Sequence, residues 1–193
     1  MTKKIIIGLA GRKVSGKTTA ARFLVNGMDF HRLSFADPLR DMVGCFLLGM
    51  GYGAEYIESL LTADKERILA PIGRTPRQLL QTLETEWGRD HVDRNVWVTV
   101  ARKRINTSTE SRIIFDDVRF ENEAAMIRGM GGKIIHIDRG NMEADSHASE
   151  HGIDEHDADL FIDNDTTVED FLRDVELVVE SVVYAADKKG VHA

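Results

Sequence analysis

Apolar positions recur along this chain in two rhythms, one suited to buried strands and one to helices. Lys4 to Leu9 is an apolar run of the kind needed by a strand covered on both faces, and Thr18 to Asn26 follows with Ala20, Phe23 and Leu24 on one helical face. His31 to Phe35 predicts a short strand, and Pro38 near a first turn predicts a helix running to about Gly49. Helical spacing continues over 54–70, breaks at Pro71 to Thr75, and resumes over Pro76 to Asp90 with Leu79, Leu80 and Leu83 inward. Another helix is predicted for Asn95 to Ile105. Beyond it lie strands at Arg112 to Asp116, Lys133 to Asp138 and Leu160 to Asp163, with helices at Glu121 to Arg128 and Val168 to Val183. Strands alternating with helices predict an α/β fold with a parallel sheet flanked by helices.

The turn after the first strand carries the strongest chemical signal. Gly11-x4-Gly16-Lys17-Thr18 has the spacing of a P-loop, in which glycines let successive N–H groups face a phosphate. Lys17 reaches the outer phosphates and the Thr18 hydroxyl can join a Mg2+ shell, so a nucleoside triphosphate is the expected ligand. Strand, glycine-rich turn and helix come in the order that presents a helix N-terminus to an anion.

Composition narrows the classes without adding chemistry. The 193 residues fit one domain, and 42% hydrophobic with 30% charged content and only three prolines argues against disorder. A net charge of -7 argues against a broad nucleic-acid surface while permitting a local basic cleft. Cys45 is the only cysteine, which excludes an intrachain disulfide and zinc sites of four cysteines or of two cysteines and two histidines. The apolar run near the N-terminus is too short for a signal sequence or membrane span, so a cytoplasmic location is expected.

Ligands of open α/β sheets bind at the carboxyl ends of the strands. Polar residues gather there: the P-loop after the first strand, Asp37 and Arg40 after the second, Asp116 to Arg119 after the third, and Arg139 after the fourth. Phosphoryl transfer needs cations that neutralise charge and hold donor and acceptor in line, and the planar fork of arginine suits that task. Arg77, opening a helix, and Arg119, after a strand end, are candidates. Asp116 and Asp117 end RIIFDD as a Walker B carboxylate would, although a turn or helix cap explains such residues equally well. Trp97, among Val96, Val98 and Val100, reads as core ahead of base stacking, and Trp87 has the same plain explanation. The segment 143–157 holds His147 and His151 among acids. A polar lid over 139–158 is the preferred reading there, ahead of a metal site.

Several segments together resemble the bacteriophage deoxynucleoside monophosphate kinases. They are G-x-K-x-S-G-K at 11–17, Phe35-Ala36-Asp37-Pro38-Leu39-Arg40, R-x-L-L-Q-x-L-x-T-E at 77–86, Trp97, D-V-R-F-x-x-E at 117–123 and H-x-S-E at 147–150. The resemblance implies a P-loop NTPase fold: one kinase domain over 1–193, a helical acceptor-binding insertion at 36–110 and a lid loop at 139–158. It implies transfer of the ATP γ-phosphate to a 2'-deoxynucleoside 5'-monophosphate, with ATP and Mg2+ as cofactors, no nucleic-acid or membrane partner, and a homodimer. A phage-encoded chain would work in the host cytoplasm. By the same likeness Gly11, Lys13, Ser15, Gly16, Lys17, Thr18, Thr19 and Arg139 hold the donor, with Thr18 on the metal. Asp37, Arg40, Arg77, Gln81, Thr85, Trp97, Asp117, Arg119 and Glu123 serve the acceptor, and Lys17, Arg77, Asp117 and Arg119 act in catalysis. The likeness moves Trp97 from core toward a site wall.

Three positions depart from that family pattern. Gly16-Lys17-Thr18-Thr19 stands where many relatives have G-K-D-T, Gln78 follows Arg77 where a second basic residue is common, and Glu84 replaces a usual glycine. The rival readings are another small P-loop kinase, acting on dephospho-coenzyme A or a ribonucleotide, and an ATP-dependent switch with no small acceptor.

Overall fold

The computed structural model describes residues 4–140, 153 and 157–191. They divide into two compact units, Met1–Ser34 with Arg104–Ala193, and Phe35–Lys103.

The first unit is built on a parallel sheet of β1 (Ile5–Ala10), β2 (His31–Leu33), β3 (Arg112–Phe115), β4 (Lys133–Asp138) and β5 (Leu160–Asp163), ordered β2-β3-β1-β4-β5. The central β1 pairs with both neighbours, Gly8 opposite Phe115 on one side and Ile134 on the other. Burial on both faces explains why β1, β3 and β4 are nearly continuous apolar runs. Helices α1 (Lys17–Gly27), α6 (Glu121–Gly129) and α7 (Val168–Val191) belong to this unit. Ala20, Ala21 and Leu24 of α1 pack with Ile7, Leu9, Ile114, Ile137 and Ile162 of the sheet and with Phe171, Val175 and Val179 of α7.

The second unit is helical: α2 (Asp37–Gly49), α3 (Ala54–Thr62), α4 (Pro76–Gln81), a π-helix (Thr82–Val92) and most of α5 (Val96–Thr107). Its core joins Val43, Leu47, Ile57, Leu60, Leu61 and Leu69, with Leu79, Leu80 and Leu83 partly buried against them.

Two helical expectations need correction. The helix over 54–70 stops at Thr62, because Ser59 O accepts from both Ala63 N and Asp64 N at 2.9 Å and the chain unwinds. Leu69 is then drawn into the core by a bridge to Arg74, with Leu69 N to Arg74 O at 2.8 Å. The helix over 76–90 is α-helical only to Gln81 and widens beyond it. Trp97 accounts for the change locally: its indole N–H donates to Glu84 O at 2.9 Å, and a Cβ on Gly88 would lie 2.5 Å from the indole ring. An inserted side-chain donor and a ring against bare backbone disturb the i→i+4 ladder. Among the described residues no helix is long and apolar enough to cross a membrane.

Candidate active site

The turn after β1 is shaped by backbone that ordinary residues avoid. Gly11 has φ 131° and Gly16 φ 112°, and a Cβ on Gly11 would sit 2.2 Å from Ile137 O. Between them Val14 holds φ 65°, an outlying conformation for a β-branched residue, with its side chain in solvent. Such strain persists only where the surroundings impose it, and it gathers at ligand clamps. Ser15 is buried and donates its N–H to Arg12 O at 3.2 Å, whereas Lys13, Thr18 and Thr19 are exposed. Lys17 Nζ arches back over the loop, donating to Gly11 O at 2.6 Å and Arg12 O at 2.5 Å. The first turn of α1 carries no acidic residue, so its N–H groups and partial positive charge suit an anion.

This turn opens onto a cleft of roughly 430 Å³ lined by Gly16, Lys17, Thr18, Thr19 and Arg139, together with Val14, Asn164, Thr166, Val168 and Phe171. The volume suits a small organic ligand. The expected donor residues Gly16 to Thr19 and Arg139 are therefore brought together. Asn164, Thr166, Val168 and Phe171 were missed, although the polar run Asn164 to Thr167 follows the fifth strand and the same strand-end rule points to it.

The Asp116–Asp117 pair divides its duties. Asp116 accepts from Arg32 Nε at 2.7 Å through Oδ2, while its Oδ1 is buried without a hydrogen-bond partner among the described residues. Ser34 donates a short hydrogen bond to Asp117 Oδ2. Glu123 is 1% exposed, and its Oε2 accepts from Arg119 N at 2.9 Å and Phe120 N at 3.1 Å, capping α6. The Arg119 side chain is exposed.

The acceptor candidates Asp37, Arg40, Arg77, Gln81, Thr85 and Trp97 lie in the helical unit. Asp37 and Arg40 pair across the first turn of α2, at 2.8 Å. Arg77 is exposed and its Nε donates to Glu66. Gln78 completes a capping box with Thr75, at 3.2 Å and 3.0 Å, which gives this departure from the family pattern a structural use. Glu84 offers its carbonyl to Trp97, and its Oε1 lies 3.9 Å from Arg89. Arg77, Gln81 and Thr85 are all exposed.

Trp97 is 3% exposed, stacked over Gly88 and tilted against Trp87 with ring centroids 6.1 Å apart, the packing that its valine neighbours suggested. The lid at 139–158 and the His147/His151 pair fall outside the described residues, apart from 139, 140, 153, 157 and 158. Among the described residues no group of three or more His, Cys, Asp or Glu could hold a metal.

A family model described as deoxynucleotide monophosphate kinase matches residues 74–175. A protein of Acanthamoeba polyphaga mimivirus, assigned as a deoxynucleotide monophosphate kinase, is 34% identical over 92% of this chain and 97% of its own length. The chain belongs to the deoxynucleotide monophosphate kinase family. A second family member, the enzyme of Enterobacteria phage T4, is 30% identical over 52% of this chain and 43% of its own length. TT1252 from Thermus thermophilus superposes with a TM-score of 0.52 at 17% identity, covering 92% of this chain and 97% of its own, a likeness of fold alone. The family match begins beyond the P-loop. Sequence spacing and loop geometry identify the P-loop independently of that match.

Proposed function

We propose that this kinase transfers the γ-phosphate of ATP to a 2'-deoxynucleoside 5'-monophosphate, releasing ADP and the deoxynucleoside diphosphate. The observation that carries the donor half is the strained Gly11–Thr18 turn opening onto the cleft beside Arg139. Family membership supplies the acceptor class. Backbone N–H groups of Ser15 to Thr19 cradle the donor phosphates, and Lys17 leaves the Gly11 and Arg12 carbonyls to neutralise the outer ones. Arg77, Gln81 and Thr85 form the acceptor-reading ridge of the helical unit, and Arg77 exchanges Glu66 for a phosphate. Asp117, oriented by Ser34, and Arg119 act on the acceptor side, while Glu123 positions the Arg119 backbone. Asp37 and Arg40 are further acceptor contacts.

Mg2+ suits hard oxygen donors, and the Thr18 hydroxyl with the orphaned Asp116 Oδ1 would hold it alongside phosphate oxygens. When bound it neutralises charge on the β- and γ-phosphates. The resemblance also makes the working form a homodimer, and a monomer mass at assay concentration rejects that part.

One coupled ADP-release assay tests the reading, run over dAMP, dGMP, dCMP, dTMP and their ribose counterparts. Acceleration by one or more deoxynucleotides is expected. Slow ATP hydrolysis that no deoxynucleotide accelerates would mark a switch and reject it.

A further inference from the structure

We infer that Asn164 is a positioning residue for the donor phosphates, acting through the peptide between Ser15 and Gly16. The inference rests on the cleft being the donor site. Asn164 lies on the turn after β5, is buried, and donates from Nδ2 to the Ser15 carbonyl at 2.8 Å, across 149 residues of sequence. Its amide orientation is set by chemistry, since a carbonyl can only accept.

The contact is closely built on both sides. A Cβ on Gly16 would lie 2.6 Å from Asn164 Nδ2, so only glycine lets the amide approach this carbonyl. The Asn164 turn is itself tied to the end of β4: Asn164 N donates to Asp138 O at 2.7 Å, and Gly140 N donates to Asp165 Oδ1 at 2.7 Å. Asn164 is therefore a fixed post against which the loop is held.

Peptide planarity converts this tie into phosphate chemistry. The bond is trans, so the Ser15 C=O and the Gly16 N–H lie in one plane and point in opposite directions. Holding the carbonyl on Asn164 turns the Gly16 N–H to the other edge, which in a phosphate-binding turn faces the anion. The strained φ of Val14 lies one residue before this peptide and the positive φ of Gly16, open to glycine, directly follows it, so without the tie the peptide can rotate as the strain at Val14 relaxes. A residue the motif does not contain thus keeps a motif N–H aimed.

A purely structural Asn164 would lower stability and leave ligand discrimination alone. The test uses Asn164→Asp, which keeps the volume but sets a carboxylate against the carbonyl, and Asn164→Ala, with thermal melting to confirm folding. Titration calorimetry compares ADP, which carries phosphates, with adenosine, which does not. The folded variants are expected to bind ADP at least about tenfold more weakly, with adenosine affinity within about twofold. The KM for ATP rises in parallel, while the KM for the deoxynucleotide is unchanged. Equal losses for ADP and adenosine, an unchanged ADP affinity, or failure of both variants to fold would overturn the role. If the wild-type chain binds neither ligand, the donor-site reading fails first and the inference falls with it.

Discussion

The sheet unit and the helical unit hold their candidate residues in opposite ways. Around the P-loop the candidate site is shaped mainly by backbone: positive φ at Gly11, Val14 and Gly16, a helix N-terminus, and a carbonyl pinned by Asn164, with Lys17 adding a long cation over the loop. The backbone there rests on a parallel sheet whose central strands are almost wholly buried. In the helical unit the candidates are exposed side chains, Arg77 above all, carried by a helix that changes pitch at Thr82. A rigid cradle suits phosphates that every nucleotide shares, and projecting side chains suit an acceptor that must be distinguished from its relatives.

The largest expected effect lies in the sheet unit. Lys17→Ala is expected to lower turnover at least about a hundredfold by removing charge stabilisation of the transferring group, and Arg77→Ala is expected to match it. Steady-state kinetics decide, and near-normal turnover of either variant removes that residue from the comparison. Next comes the change of pitch. Gly88→Ala would push a Cβ to 2.5 Å from the Trp97 ring and is expected to destabilise by about 1–3 kcal/mol in denaturant titrations. An unchanged midpoint would show that the indole gives way and that the wide helix does not depend on Gly88. Smaller still, Thr75→Ala removes the capping-box hydroxyl in front of Arg77 and should cost about 1 kcal/mol. The KM for the deoxynucleotide then rises if the ridge depends on that cap.

The smallest effect tests the sheet unit away from its ligand end. Burial alone would raise the Asp159 carboxyl, but hydrogen bonds from Lys133, the Ile134 N–H and Arg128, with the charge of Lys133, hold it below the ordinary carboxylate range. A depressed pKa contributes stability that is present above the ordinary carboxylate range and is lost as pH falls through the folded value. Asp159→Asn should therefore lower Tm at neutral pH, with the difference shrinking in acid. A difference that stays constant down to the acid limit would show that the charge is not what stabilises.

Legibility in the sequence followed the range of the interactions involved. The strands at Lys133–Asp138 and Leu160–Asp163 are observed as expected, because a buried strand between turn residues is a local pattern. The P-loop was equally readable, since strand, glycines and helix are contiguous. The helix over 54–70 failed because Leu69 has helical spacing but is held by a bridge to Arg74. The pitch change at Thr82 was invisible because the Trp97 indole that bonds the Glu84 carbonyl there comes from another helix. In the candidate site the donor residues around the P-loop and Arg139 could be named from strand ends. Asn164 was overlooked, as its partner lies 149 positions away.

The amino-acid sequence by itself determined the alternation of strands and helices, the phosphate-binding turn and the family of kinases to which the chain is similar. Periodicity and glycine placement act over a few residues, and those features need nothing more. Tertiary structure alone decided the strand order β2-β3-β1-β4-β5 and the split that engages Asp117 with Ser34 while leaving Asp116 Oδ1 without a partner among the described residues. It also decided which side chain holds the Ser15 carbonyl. Each depends on groups far apart in sequence meeting at hydrogen-bond or van der Waals distance, and that proximity exists only once the chain has folded.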